Sequence, residues 1–136
     1  MTKKYLDALT YEFIGCCITV HSALGPGLLE SVYHRCLEEE LRYQKIKFQS
    51  ELIVPVVYRN LEIQAQLRAD FYIENCLVVE LKAVDAIQPI HEAQLMTYLK
   101  LLESPKGILI NFNCTNIFRQ GQKTYVTEMY RNLDDE

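Results

Sequence analysis

No apolar run in this chain approaches the roughly 20 residues that a membrane-spanning helix needs, so the sequence offers no candidate span. No Cys-x-x-Cys pair occurs among the five cysteines, Cys16, Cys17, Cys36, Cys76 and Cys114. An odd, scattered set argues against both a disulfide framework and a zinc site. Free thiols suit a reducing cytoplasm, where they pack as small apolar side chains. Positive charge is not in excess: 14 Lys and Arg against 18 Asp and Glu leave a net charge of −4. That counts against a strong non-specific nucleic-acid binder, which carries a basic surface. Some of the acidic excess falls in Glu38-Glu39-Glu40 and Asp134-Asp135-Glu136, which need not border a cleft. The Gly25-Pro26-Gly27 corner lacks the extra glycines, Lys and Ser or Thr of a phosphate-cradling loop. Repeats and low-complexity segments are missing too. The start, Met1-Thr2-Lys3-Lys4-Tyr5, runs into an amphipathic segment with Asp7 and Glu12 and does not read as a signal peptide.

What is present reads as one globular domain over residues 1–136, with 49% apolar and 24% charged residues. A chain of this length buries about two-thirds of its unfolded surface. Leu6, Leu9, Phe13, Cys17, Val20 and Leu24 recur at helical spacing and predict a helix over residues 4–23. Gly25 and Pro26 end it. A second helix over 28–45 follows, with Leu29, Val32, Tyr33, Cys36, Leu37 and Leu41 as its core face. Its Glu30 sits in the first turn, where the helix dipole favours a carboxylate. His34, at i+4 from Glu30, reads as a surface residue paired with it. Strands are expected over Lys47–Tyr58, where Pro55 marks an edge or bulge, over Leu61–Ile73 and over 77–84. A helix over 89–103 then carries Leu95, Leu99 and Leu102 on one stripe and His91, Gln94 and Tyr98 on the next. Gly107–Phe112 reads as a short buried strand, parallel to its predecessor through a right-handed crossover. Residues 116–130 read as a further strand or hairpin around Gln120-Gly121, and the tail from Asn132 as frayed.

The stretch Leu67–Val84 organises the rest. Its two arms alternate, with a tight turn at Glu74-Asn75-Cys76 between them. A three-residue turn sets Ile73 against Leu77, Phe71 against Val79 and Ala69 against Leu81, merging their apolar faces. The same register sets Asp70 against Glu80, and Arg68 against Lys82. Like charges directly opposed cost roughly 0.2–1 kcal/mol, more when partly buried. Two carboxylates aimed at one point make sense if a divalent cation joins them, since hard cations take one or two carboxylates plus water and phosphate oxygens. The plainer alternative is a solvated sheet face that happens to carry charge.

An Asp followed ten residues later by Glu-x-Lys, on adjacent strands, resembles the core of the PD-(D/E)XK nuclease superfamily. Gly27-Leu28-Leu29-Glu30-Ser31-Val32-Tyr33 fits the Gly-x-x-Glu-x-x-Tyr signature of the GxxExxY protein family. Gln94-Leu95-Met96-Thr97-Tyr98 fits the Gln-x-x-x-Tyr helix of that family and of the exonuclease-like branch. Gly107–Phe112 looks like its closing strand. The resemblance covers roughly residues 5–126. It implies an α/β fold with a mixed sheet in αβββαβ order, helices on its faces, like the restriction endonucleases.

The implied activity is phosphodiester hydrolysis of DNA or RNA with Mg²⁺ or Mn²⁺. Asp70, Glu80 and the Leu81 carbonyl would hold the metal, and Glu30 would complete its shell. Lys82 would position the attacking water and steady charge at the phosphate. Gln94, Tyr98 and Tyr33 would contact substrate. The scattered cysteines count against the iron–sulfur cluster that some superfamily members carry. Two rival readings stay open. One is a nucleic-acid-binding module that keeps the scaffold without useful turnover. The other is an interaction protein, active only with a protein partner or a second copy and docking through its first helix.

Overall fold

The computed structural model describes residues 1–64 and 67–136. Helix α1 (Lys3–Leu24) buries Leu6, Leu9, Phe13, Cys17 and Val20, the apolar positions that the spacing picked out. Thr2 caps its start, the Oγ1 accepting the Tyr5 N–H at 3.1 Å. Gly25 ends it at φ +72°, a conformation that costs glycine little. Helix α2 (Glu30–Tyr43) returns and buries Tyr33, Leu37 and Leu41.

Seven strands follow among the described residues, and two of the expected ones are cut. Lys47–Tyr58 divides into β1 (Phe48–Ile53) and β2 (Val56–Tyr58), with Pro55 in the gap, where it can neither donate nor continue the ladder. Leu61–Ile73 divides into β3 (Leu61–Ile63) and β4 (Arg68–Ile73); positions 65 and 66 of that expectation lie outside the described residues. Among the described residues β2 and β3 pair only with each other, as a ribbon turning at Arg59–Asn60. β5 (Leu77–Lys82), helix α3 (Pro89–Leu101), β6 (Lys106–Asn111) and β7 (Gln122–Val126) complete a five-stranded sheet in the order β1-β4-β5-β6-β7. β5 and β6 are parallel and the other neighbours antiparallel. Along the chain α2, β1, β4, β5, α3 and β6 give the αβββαβ order. β5 is central and buried almost throughout, which accounts for its apolar run Leu77-Val78-Val79.

Two apolar clusters flank the sheet. Phe13, Leu37, Phe71, Val79, Ile108 and Phe112 pack on the side of α1 and α2. Val54, Ala69, Val78, Leu95, Tyr98 and Leu109 pack on the side of α3. Each large apolar side chain so buried is worth about 1.5–3 kcal/mol against exposure. The expected common face of Ala69, Phe71 and Ile73 is therefore wrong, because Ala69 joins the opposite cluster from Phe71 and Ile73. Alternation breaks at Asp70. On the neighbouring strand, the Asp70-facing residue Glu51 has φ +53°, a left-handed backbone that Glu rarely adopts.

Past β6, a π-helical turn (Ile117–Gly121) leads into β7, and α4 (Glu128–Arg131) closes the chain. The tail is not frayed: the Asp134 and Asp135 carbonyls accept the Lys3 and Lys4 N–H groups at 2.8 and 3.0 Å. They satisfy donors that a helix start otherwise leaves open. A Cβ at Gly121 would stand 2.7 Å from the Asn111 carbonyl oxygen and 2.8 Å from the Cys114 sulfur. Gly121→Ala is therefore expected to cost about 1–3 kcal/mol. Gly15→Ala, with nothing within 4 Å of the new methyl, is expected to gain about 0.5–1 kcal/mol. Urea titrations of the two variants check both signs.

Candidate active site

The site is built where β4 and β5 part. The strands are joined by a tight turn whose Glu74 and Asn75 have φ of +50° and +55°. The Cys76 N–H closes it on the Ile73 carbonyl at 3.0 Å. The register is the expected one at Ile73↔Leu77 and Phe71↔Val79. One step further the main-chain rungs stop and side chains take their place. The Asp70 N–H donates to Glu80 Oε1 at 3.2 Å, and the Leu81 N–H donates to Asp70 Oδ2 at 2.7 Å. Each carboxylate is held by the other strand's backbone, so the two acids cannot swing apart without breaking these bonds.

Glu80 is only 5% exposed. Burial, then the charge and contact of Asp70, push its carboxyl up to about 9; the Asp70 N–H and Lys82 pull the other way. Lys82, half-buried two residues on, is near enough for its charge to act on both Glu80 and Glu30. Among the described residues it forms no ion pair. Glu30 opens onto the same place from the first turn of α2. Partial desolvation and Asp70 raise its carboxyl, while Lys82 and His34 oppose the rise.

His34 is not a surface partner of Glu30. Its ring stacks on Phe71 with centroids 4.4 Å apart, its Nε2 lies 2.7 Å from Ser50 Oγ, and its Nδ1 lies 3.8 Å from Asp70 Oδ1. Sequence reasoning missed this residue, although its i+4 spacing from Glu30 placed it on the face that meets the acids. Glu30, His34, Arg35, Glu38, Glu51 and Asp70 line a cleft of about 530 Å³.

Two of the three expected substrate contacts are corrected. Tyr33 has no exposed surface; its ring stacks on Phe112 at 4.4 Å. Its hydroxyl donates to the Gly25 carbonyl at 2.5 Å and accepts the Leu28 N–H at 3.2 Å. Tyr33 therefore pins the Gly25-Pro26-Gly27 corner and so aims Glu30. Tyr98 is 3% exposed, with its hydroxyl against the Arg68 backbone. Burial, then Glu80, raises its pKa, and the ring has too little exposed surface to meet a substrate. Gln94 is half-buried, one helical turn before Tyr98 on the same stripe. His91 serves as a cap, its Nδ1 accepting the Gln88 N–H at 3.0 Å.

Among the described residues no three His, Cys, Asp or Glu side chains form a metal cage by themselves. The donor set fits a hard cation that completes its shell with main-chain carbonyl and water, since a half-buried Asp70 and a buried Glu80 are locked together and Glu80 resists ionisation in the cation's absence.

A mixed five-stranded sheet flanked by helices, with an Asp and a Glu-x-Lys brought together at the parting of two strands, defines a restriction-endonuclease-like architecture. A family model described as the PD-(D/E)XK nuclease superfamily matches residues 7–124, and the chain belongs to that superfamily. Comparison with curated proteins gives no match, and comparison with solved structures gives none. Among the described residues no helix is long and apolar enough to cross a membrane.

Proposed function

We propose that this chain is a divalent-metal-dependent nuclease that hydrolyses phosphodiester bonds in DNA or RNA. The observation that supports it most is the crossed pair of bonds, Asp70 N–H to Glu80 and Leu81 N–H to Asp70, at the one place where the β4–β5 ladder opens. A sheet optimised for stability alone would not lock a buried Glu80 against a second acid there. Asp70 and Glu80, with the Leu81 carbonyl and with Glu30 from α2, would hold Mg²⁺ or Mn²⁺. Such an ion supplies a water of lowered pKa and offsets charge developing at the phosphate. Lys82 carries an ammonium whose charge acts on Glu80 and which has no ion-pair partner among the described residues. It orients the attacking water and donates to a non-bridging phosphate oxygen. The Gln94 amide donates to substrate from α3. The five free thiols, three of them buried, favour a reducing, cytoplasmic setting.

One observation favours a second reading. The net charge of −4 and the acids around the cleft suit a scaffold that binds without turning over. Labelled single- and double-stranded DNA and RNA, incubated with Mg²⁺ or Mn²⁺ and the wild-type or Glu80→Ala protein, separate the two. Cation-dependent cleavage that vanishes in the variant supports the nuclease. Binding without cleavage, indifferent to the cation, supports the module.

A further inference from the structure

The β2–β3 ribbon is the part of the fold that its own packing explains least. It pairs with no other strand among the described residues, and an isolated two-stranded hairpin is marginal in water. Val56 opposes Ile63 and Tyr58 opposes Leu61. Opposed residues share a face, so these four form one apolar stripe, while Val57 and Glu62 take the other side. The stripe is uncovered at its tip: Tyr58 is 64% exposed and Leu61 60%. The Arg59 guanidinium lies over the Tyr58 ring, 5.7 Å from its centroid.

The ribbon's position gives this surface a meaning. It leaves β1 after Ile53 and rejoins the sheet at Arg68, and Ile53 pairs with Arg68. Asp70 is two residues beyond Arg68, about 7 Å along the strand. Ile53, Val57, Glu62, Ile63 and Arg68 line a cleft of about 530 Å³ at the ribbon's base. A strand of nucleic acid whose phosphate reached Asp70 and Glu80 would therefore pass the ribbon on its way.

Resting on the nuclease reading, we propose that the β2–β3 ribbon is a single-strand-binding arm, with Tyr58 as the platform on which a base stacks and Arg59 and Arg68 as its phosphate contacts. The chemistry selects single strands. Duplex binding draws its affinity from many cations along the backbone, and this chain carries an acidic excess. Stacking on an exposed ring accepts any base and is open only to bases that are not already stacked in a duplex. A protein partner would meet the same apolar stripe. The two arginines, one at the tip and one at the base, favour a polyanion that runs the length of the ribbon.

The test separates this proposal from the nuclease reading by measuring binding alone. Fluorescence anisotropy with a labelled single-stranded oligonucleotide and with a duplex of the same sequence is read on Lys82→Ala protein, which isolates binding from turnover. In that background Tyr58→Ala is expected to weaken single-strand binding at least about tenfold, on the scale of one lost base stack. Tyr58→Phe, which keeps the ring, is expected to retain it, and duplex binding is expected to be weaker than single-strand binding throughout. Equal affinities for Tyr58→Ala and its parent overturn the arm. So does a dimer by light scattering that Tyr58→Ala dissolves, since the stripe would then be a contact between copies. Failure of cleavage in the wild-type protein would instead sink the nuclease reading and leave these affinities to be judged on their own.

Discussion

Lys82→Ala is expected to lower cation-dependent cleavage at least about a hundredfold, within the span that positioned proton-transfer and charge-stabilising groups contribute. The melting temperature is expected to stay where it is. Lys82 is half-buried near the end of β5 and has no ion-pair partner among the described residues, so truncating it leaves no buried charge stranded. What disappears is the cation whose charge already acts on Glu80 and Glu30. The loss should fall on kcat more than on KM, because the ammonium is asked to act on charge that develops during the reaction. Single-turnover cleavage beside thermal melts decides it. Equal rates would remove Lys82 from the chemistry, and a parallel fall in melting temperature would make it a structural residue.

Glu80 sets an unusual pH dependence of stability. Its carboxyl is pushed from an ordinary 4.5 to about 9, so the folded chain keeps a proton that the unfolded chain releases. The folded state then binds more protons across that interval, and stability falls as pH rises. This contribution is complete below about pH 4.5 and is lost as pH climbs through about 9. In chelator, the melting temperature should decline from about pH 5 to about pH 9, and Glu80→Gln should flatten the decline. A divalent cation needs the carboxylate, so it competes with this proton. Mn²⁺ should accordingly do little near about pH 5 and raise the melting temperature strongly near about pH 8, by about 2.7 kcal/mol of stability at a hundredfold excess over Kd. Scanning fluorimetry over pH, with and without Mn²⁺, reads both effects. Melting curves indifferent to pH and cation would mean that the two acids are ordinary solvated groups.

The hairpin that carries the acids was legible because three signals agreed: two alternating arms, a turn between them, and like charges that the resulting register forced together. The helices were legible from their apolar spacing and from Gly25 and Pro89. The flip at Asp70 was not, because it depends on a left-handed Glu51 on the neighbouring strand, and nothing about a glutamate announces that. The division of the two long strands was masked by β-branched residues that continue through Val54, Val56 and Val57 on both sides of Pro55. Tyr33 and Tyr98 misled for one reason. A tyrosine beside polar neighbours on a helix flank reads the same whether its hydroxyl meets a ligand or a main-chain group, and here both hydroxyls face backbone. His34 needed the third dimension, since its partners Ser50, Asp70 and Phe71 come from other elements.

The left-handed pair Glu74 and Asn75 has a consequence for how the chain reaches its folded form. It closes the shortest connection in the five-stranded sheet, three residues, whereas β6 joins β5 only after the whole of α3. Loop-closure entropy grows with the length closed, so β4–β5 is expected to zip early and β6 to dock late. Pulse-labelled amides of Phe71 and Val79 should gain protection during refolding before those of Ile108 and Ile110. On that order the two acids would be neighbours in a nascent hairpin before there is a cleft around them, and a cation that recognises the pair would speed the search for the native topology.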